Sequence, residues 1–236
     1  MSNSYFQFKQ FRIEQEHCAM KVSTDACIQG GWTPIESDVK NILDIGAGTG
    51  LLSLMLAQRT NKCLIDAIEL DEDAAKQTQE NFKNSPWNER LHCIHADAKT
   101  FLFDKKYDLI ICNPPFFKNS LLGDDAKRNQ ARHTLSFSLE DLTNVIDVNL
   151  CDNGFASVLL PVTEQKQWMK LLYKNAFTVS HQLNIHPSKG KAANRIITVC
   201  SRKVFTTSHK DLFIRNEENN YSEDFEKLMR PFYLSL

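Results

Sequence analysis

The sequence has almost no net charge, no long apolar run and no signal-like beginning. It carries 28 Lys and Arg against 29 Asp and Glu, a formal net charge of −1, so any contact with nucleic acid must come from local basic patches. A membrane-spanning helix needs a run of about 18 or more apolar residues, and no such run occurs. The first residues lack the apolar core of a signal peptide. We therefore expect a cytoplasmic protein with no membrane partner.

Paired cysteine motifs are also missing. The seven cysteines are odd in number and scattered, without a Cys-x-x-Cys pair, which is typical of reduced thiols in a cytosolic protein. We expect neither a disulfide framework nor a zinc site. His92 and His95 lie three residues apart on a predicted strand, and side chains at that spacing point to opposite faces. No metal is expected.

The sequence has no internal repeat, low-complexity tract or linker, which indicates a single domain over residues 1–236. Its length and its 42% hydrophobic content fit one α/β domain. We expect residues 1–40 to form an N-terminal extension or lid, in which Thr24 or Asp25 caps a short helix. Residues 41–204 are expected to form the core, and residues 205–236 a tail with a docked helix. A monomer is favoured.

A glycine-rich turn follows the first predicted core strand, in the segment Asn41-Ile-Leu-Asp-Ile-Gly-Ala-Gly-Thr-Gly50. Glycines permit a tight turn and close backbone approach to a ligand at the N-terminus of the helix that follows. The spacing is one residue shorter than the dinucleotide fingerprint. Asp44 lies inside the strand, where a carboxylate suits a cationic group such as an α-ammonium. The candidate cofactor-binding residues here are Asp44, Gly46, Ala47, Gly48 and Gly50.

Acidic residues end the next two predicted strands. Glu69 ends the second, about 20 residues past the glycines, where an acidic residue can accept from two ribose hydroxyls. Asp97 ends the third strand and can accept a hydrogen bond from an adenine amino group. Leu70 and Ala98 follow these carboxylates directly. The pattern predicts a site for a nucleoside-bearing cofactor, to which these four residues contribute.

The fourth predicted core strand runs into two prolines, in the segment Tyr107-Asp-Leu-Ile-Ile-Cys-Asn-Pro-Pro-Phe116. Proline has no N–H and a fixed φ, so the strand ends there. An amide side chain, free carbonyl groups and an aromatic ring remain at the carboxyl end of the strand, where ligands bind in open α/β sheets. They suit a planar substrate that bears an amino group. The candidate catalytic residues are Asn113, Pro114, Pro115 and Phe116.

Two basic segments are candidates for contacts with phosphates. A long polar segment, Lys118 to His133, follows the proline pair directly, and loops at that position often contact substrate. Residues 187–203 carry five positive charges and no acidic residue. The candidate residues for these substrate and phosphate contacts are Lys118, Arg132, His133, Lys189, Lys191 and Arg195.

Together these features resemble the class I S-adenosylmethionine-dependent methyltransferases, in the branch with an (Asn/Asp)-Pro-Pro-(Tyr/Phe) motif that methylates amino groups. Further matches cover nearly the whole chain and resemble the bacterial tRNA1(Val) (adenine-37-N6)-methyltransferase family. They are Phe8-Lys-Gln-Phe11, Met20-Lys-Val-Ser-Thr-Asp25, Gly30-Gly-Trp32, Asn113-Pro-Pro-Phe-Phe117, Asn119-Ser-Leu121, Ala131-Arg-His133 and Tyr233-Leu234. This chain departs from the family at Cys27-Ile-Gln-Gly-Gly31, where bulky aliphatic residues and an alanine are usual.

The resemblance implies a Rossmann-like α/β fold with a central, mostly parallel seven-stranded sheet flanked by helices. It implies S-adenosylmethionine as cofactor, tRNA as partner and methylation of an adenine N6 amino group. Asn113 and Pro114 would accept hydrogen bonds from that amino group. Phe116 would stack on the base, with Phe117 as the alternative, and Lys21 and Thr24 would close over the cofactor.

Several other functions remain open at this point. A guanine-N2 rRNA methyltransferase has similar motifs. A protein-glutamine methyltransferase uses the same motif but usually has a helical domain ahead of it, and only about 40 residues precede the first core strand here. A non-catalytic S-adenosylmethionine- or RNA-binding scaffold would not need an intact Asn-Pro-Pro-Phe motif. The shorter glycine loop disfavours an NAD-dependent dehydrogenase.

Overall fold

The computed structural model describes residues 4–18, 20–114 and 137–236. Its strands are β1 Tyr5–Gln7, β2 Arg12–Glu14, β3 Asn41–Ile45, β4 Leu64–Glu69, β5 Leu91–His95, β6 Tyr107–Cys112, β7 Leu150–Pro161, β8 Thr178–Ser188, β9 Arg195–Ser201 and β10 Ser208–Arg215. Its helices are α1 Thr24–Trp32, α2 Leu51–Arg59, α3 Glu72–Lys83, α4 Leu139–Asn149, α5 Val162–Lys174 and α6 Glu223–Met229. No helix within these described ranges is long and apolar enough to cross a membrane.

A mixed sheet forms the centre of the fold, with the strand order β10-β8-β9-β7-β6-β3-β4-β5. Strand β9 pairs antiparallel with both β7 and β8, and the other pairings in this sheet are parallel. The carboxyl ends of β3, β4, β5, β6 and β7 therefore lie along one edge of the sheet. This arrangement confirms the expected Rossmann-like, mostly parallel α/β class.

The sheet has eight strands in the described residues, whereas the sequence predicts seven. The additional strand is β10, which falls in the expected C-terminal tail and pairs in parallel with β8. Its sequence alternates poorly, and of its eight residues only Leu212 is buried. A polar strand of this kind is stable at a sheet edge, where one side stays in solvent, but it gives little apolar signal in the sequence.

The core strands are buried on both faces, which explains their continuous apolar sequences. Successive residues of β3 belong to two different hydrophobic clusters. Ile42 packs towards α1 and α2, and Leu43 packs towards α4 and α5. Strand β6 repeats the pattern with Leu109 and Ile110. This two-sided burial fixes the sheet between two helical layers and holds its carboxyl edge rigid.

The N-terminal segment packs against the C-terminal one. Strands β1 and β2 form a hairpin and pair antiparallel. Phe8 is fully buried and forms a β-bridge with Tyr233, and the Lys9 amide donates to the Phe232 carbonyl at 2.8 Å. Helix α1 follows this hairpin, and its N-cap is Ser23, whose Oγ accepts from the Ala26 amide at 3.2 Å. The expected caps Thr24 and Asp25 lie instead inside the first turn.

Candidate active site

A cavity of about 470 Å³ opens at the carboxyl edge of the sheet, above β3, β4, β5 and β6. Its size lies in the range of about 300–1,000 Å³ that is usual for small-molecule sites. Its wall includes residues from the glycine turn, from the ends of β4 and β5, from the end of β6 and from the segment before α1. The sequence-predicted residues among them are Lys21, Gly46, Ala47, Gly48, Glu69, Leu70, Asp97, Ala98, Asn113 and Pro114.

The glycine turn has the left-handed backbone that its sequence requires. Gly46, Gly48 and Gly50 have φ values of 72°, 58° and 78°, a region that other residues adopt only with strain. The Gly46 amide donates to the Ile68 carbonyl at 2.9 Å, which fixes the turn on β4. A Cβ built at Gly46 or Gly48 would meet no heavy atom of the described chain within 4 Å. This leaves the turn open to a ligand.

Gly50 differs from the other two glycines because it is packed against α3. A Cβ at this position would lie 2.6 Å from Phe82 Cε1 and 3.1 Å from Thr78 Cγ2. We expect Gly50→Ala to lower the free energy of unfolding by about 2 kcal/mol more than Gly190→Ala, because only the first adds overpacking to a left-handed backbone. Gly190 has φ 81° and no heavy atom of the described chain within 4 Å of a built Cβ. Denaturant unfolding of both variants measures the difference, and equal losses would contradict this account.

The Glu69 carboxylate is held in the cavity wall by two backbone amides. Its Oε2 accepts from the Gly48 amide at 2.8 Å, and its Oε1 accepts from the Asp71 amide at 2.9 Å. Each carboxylate oxygen can accept more than one hydrogen bond. The side chain is therefore oriented before a ligand arrives and still has capacity for hydroxyl donors.

Asp44 lies beneath the turn rather than in the cavity wall, and it is fully buried. Its Oδ2 accepts from the Ser53 amide at 3.1 Å and from Ser53 Oγ at 2.7 Å. Its Oδ1 is buried without a hydrogen-bond partner in the described part of the chain. Burial raises the pKa of Asp44 to about 7, although the bonds from Ser53 act to lower it. A buried carboxylate with an unused oxygen favours a cationic neighbour.

Asp97 and its neighbours form the side of the cavity above β5. The Asp97 Oδ1 accepts from the Lys99 amide at 2.9 Å, and the Lys99 ammonium lies 3.7 Å from Oδ2. Leu70 and Ala98 complete this side as apolar surface. The Asp97 carboxylate is held by a backbone amide, as the Glu69 carboxylate is, and it lines the same cavity.

Asn113 and Pro114 lie where β6 leaves the sheet. Asn113 Oδ1 is buried and has no hydrogen-bond partner among the residues described. Both residues line the cavity, with Phe137 beside them. A buried acceptor without a donor is rare in native proteins and is typical of a site completed by a ligand. Pro115, Phe116, Lys118, Arg132 and His133 lie outside the described residues, and their predicted roles stay predictions.

The segment before α1 and the first turn of α1 contribute more of the cavity than the sequence predicts. Lys21 lines it, as expected, whereas Thr24 is exposed and lies outside the lining. Cys18, Ser23 and Ala26 line it as well, and Cys18 Sγ donates to the Gly48 carbonyl at 3.4 Å. The small side chains of this segment gave no sequence signal, because their role comes from packing across the glycine turn.

The five positively charged residues of 187–203 lie at two opposite edges of the sheet. Lys189, Lys191 and Arg195 lie in or beside the β8–β9 connection, at the same edge of the sheet as Asn113, because Arg195 pairs with Pro161 at the end of β7. Arg202 and Lys203 follow β9 at the opposite edge.

Acidic residues from distant parts of the chain also face this basic segment. The Lys189 ammonium lies 3.0 Å from the Glu217 carboxylate, and Arg195 Nε lies 3.4 Å from the Asp25 carboxylate. Lys191 has no ion pair within the described ranges. The local charge at this edge is therefore smaller than the sequence indicates.

All seven cysteines are free thiols. In the part of the chain that the structure describes, no group of three or more His, Cys, Asp or Glu side chains could hold a metal ion.

Comparison with known proteins agrees with this geometry. Residues 33–137 match the model of the methyltransferase small domain. A tRNA1(Val) (adenine(37)-N6)-methyltransferase from Tolumonas auensis is 42% identical over 100% of this chain and 99% of its own length, and one from Aliivibrio fischeri is 42% identical over 100% of both chains. The crystal structure of a predicted O-methyltransferase from Agrobacterium tumefaciens superposes with a TM-score of 0.71 over 88% of this chain and 96% of that one, at 16% identity, which shows the shared fold.

The parallel sheet, the glycine turn and the acidic strand ends define a class I S-adenosylmethionine-dependent methyltransferase. Sequence identity of 42% to the Tolumonas and Aliivibrio relatives, over nearly the whole length of each chain, narrows the assignment from this class to one family. The chain belongs to the tRNA1(Val) (adenine(37)-N6)-methyltransferases.

Proposed function

We propose that this protein transfers a methyl group from S-adenosylmethionine to the N6 amino group of adenosine 37 in the anticodon loop of tRNA1(Val). The observation that carries the proposal is the buried, unpartnered Oδ1 of Asn113 at the wall of the cavity. The relatives from Tolumonas and Aliivibrio support the choice of substrate. We also infer that the protein works in the cytoplasm, where tRNA is modified, and as a monomer.

In this proposal, Asn113 Oδ1 and the Pro114 carbonyl accept hydrogen bonds from the amino group of the base. The two acceptors fix the amino nitrogen and turn its lone pair out of conjugation with the ring. Pro115 holds the backbone that presents them, and Phe116 stacks on the base. The cofactor, when bound, supplies an activated methyl group, so the contribution of these residues is positioning and electrostatic. The base must leave its stack to reach them, which costs least in a single-stranded loop.

We assign the cofactor to the cavity because the residues there fit its parts. Gly46 and Gly48 allow close approach of the backbone beside Ala47, and Glu69 has acceptor capacity for ribose hydroxyls. Gly50 would contribute by packing the turn against α3. Asp97 is available to the adenine amino group, against the apolar surface of Leu70 and Ala98. Asp44 lies under the turn and suits a cationic group, and Lys21 suits a carboxylate. Thr24, the first residue of α1, lies outside the lining and would act only by closing the first turn of this helix over the cofactor.

The test is methyl transfer from labelled S-adenosylmethionine to unmodified tRNA, followed by nucleoside mass spectrometry and mapping of the modified position. We expect N6-methyladenosine at position 37. Formation of N2-methylguanosine in RNA would agree with the methyltransferase class but would contradict adenosine as the methylated nucleoside. Label in protein alone would favour a glutamine acceptor, and no label in any substrate would favour a non-catalytic scaffold.

For tRNA binding, we propose that Lys189, Lys191 and Arg195 contact phosphates at the active edge, together with Lys118, Arg132 and His133. We expect the double variant K189Q/K191Q to weaken tRNA binding and to reduce the slope of log Kd against log salt by about 1–2, because each lost phosphate contact removes about 0.7–0.9 from that slope. Binding titrations at several salt concentrations measure it.

Arg202 and Lys203 provide the matched control, because R202Q/K203Q removes the same charge from the opposite edge of the sheet. The control is expected to leave the slope unchanged. Equal effects of the two double variants would mean that only net charge matters and would overturn the proposed surface.

A further inference from the structure

The buried side chain of Gln29 connects α1 to the two strands at the catalytic edge. Its Nε2 donates to the Cys112 carbonyl at 3.0 Å and to the Ser157 carbonyl at 3.1 Å. Gln29 is fully buried. Cys112 ends β6 directly before Asn113, and Ser157 lies in β7, the neighbouring strand, whose Val158 pairs with Cys112.

These two bonds act at the point where the ladder between β6 and β7 ends. Pro114 and Pro115 cannot donate backbone hydrogen bonds, so the sheet cannot fix the chain beyond Cys112. A carbonyl shares its peptide plane with the next amide, so a donor on the Cys112 carbonyl sets the plane that leads into Asn113. The second N–H of the same Nε2 donates to the Ser157 carbonyl of β7, so the position of the Cys112 carbonyl is fixed relative to that strand.

Stability alone does not account for a glutamine at this position. Its Oε1 is buried without a hydrogen-bond partner in the described residues, and an unpaired buried acceptor is costly. Helix α1 already packs tightly, because a Cβ at Gly30 would lie 2.7 Å from Met55 Sδ and one at Gly31 would lie 2.7 Å from Met229 Cε. An aliphatic residue of the same size would fill the space without burying an amide.

We propose that Gln29 is a positioning residue for the transfer reaction, which orients Asn113 by holding the Cys112 carbonyl against β7. The inference rests on the proposed role of Asn113. Gln29 lies outside the cavity lining, so it acts through the peptide before Asn113. Thr33 reinforces the link from the end of α1, since its Oγ1 lies 2.8 Å from Ser157 Oγ.

The test uses Gln29→Met, which keeps the length of the side chain and removes both donors. The matched control is Gln165→Met, because Gln165 is also buried and donates through Nε2 to Thr198 Oγ1 at 2.9 Å, away from the cavity. We expect the single-turnover rate of tRNA methylation to fall at least tenfold in Q29M, since small misplacements of a reacting geometry are costly. The Kd values for S-adenosylmethionine and tRNA should stay within about twofold of wild type, and Q165M should keep its rate.

A double-mutant cycle with Asn113→Ala separates positioning from a general loss of structure. If Gln29 acts through Asn113, Q29M should slow the residual transfer of the N113A enzyme by less than about twofold. A full additional loss in that background, or equal rates of Q29M and Q165M, would overturn the inference. Failure of the wild-type protein to methylate adenine in tRNA would instead overturn the proposed function, before any variant is made.

Discussion

Asn113→Ala is expected to slow methyl transfer at least a hundredfold while leaving the affinity for S-adenosylmethionine within about threefold of wild type. The amide oxygen is buried and unpartnered in the described residues, so in our proposal it is reserved for the amino group of the substrate. Removing one preorganised group of this kind typically costs about 10²–10³ in rate. Single-turnover transfer to tRNA and calorimetric titration with the cofactor measure the two quantities.

Two further variants test whether a loss of rate comes from the hydrogen-bond acceptor at Asn113 itself. Asn113→Asp keeps an acceptor in the same place, so its rate should exceed that of N113A at the same pH. Asn175→Ala removes an amide that caps α5 through a 2.9 Å bond from Nδ2 to the Leu171 carbonyl, and it should leave transfer unchanged. Wild-type rates in N113A would exclude Asn113 from the reaction. A parallel loss of cofactor affinity would move its role from the substrate to the cofactor.

Asp44→Asn is expected to weaken binding of S-adenosylmethionine roughly a hundredfold at pH 8. A hundredfold loss of affinity corresponds to about 3 kcal/mol, which is a typical cost of removing one partner of a desolvated charge pair. In the wild-type protein, burial raises the pKa of Asp44 to about 7. A cationic group of the cofactor binds the ionised carboxylate better, so affinity should rise about tenfold between pH 6 and pH 8. Calorimetry in buffers of different ionisation enthalpy should also detect proton release on binding.

A rise in pH should lower the stability of the cofactor-free protein, whereas it should strengthen binding of the cofactor. The folded protein without cofactor keeps a proton on Asp44 at pH values where the unfolded chain has lost it. The free energy of unfolding should therefore fall as pH rises from about 4 to about 7, and D44N should lose that component.

Asp66→Asn serves as the control for Asp44, because Asp66 is a buried aspartate in the same sheet that contacts Tyr107 and Lys105 outside the cavity. It should preserve the pH dependence of binding. An unchanged pH dependence in D44N would show that Asp44 is not the titrating group.

The sequence predicts most of the frame of this site, because the frame depends on local patterns. An apolar strand that ends at Glu69, a second that precedes Asp97, and a third stopped by prolines after Asn113 can each be recognised from the sequence. The parallel arrangement then brings their ends to one cavity, as expected.

The features that the sequence does not predict depend on contacts between distant residues. Strand β10 is polar and becomes a strand only beside β8. The basic segment around Lys189 and Arg195 has no acidic residue in its own sequence, yet Glu217 and Asp25 face it in the fold. Gln29 interrupts an apolar stretch and is visible as a departure from the family pattern. Its two acceptors, however, lie 83 and 128 residues away.

The contact between the hairpin of β1 and β2 and the segment around Arg230 has a consequence for biosynthesis. The hairpin before Lys21 docks on residues that are made much later, as the bond from Lys9 Nζ to the Arg230 carbonyl spans 221 positions. Contacts of such high sequence separation form late, and a chain on the ribosome folds from its N-terminal side first. The wall that carries Lys21 and Ser23 is therefore completed only after the C-terminal residues have emerged. A nascent chain that stops before Arg230 would hold a finished glycine turn but an open cavity, so binding of the methyl donor should require that the segment around Arg230 has been made.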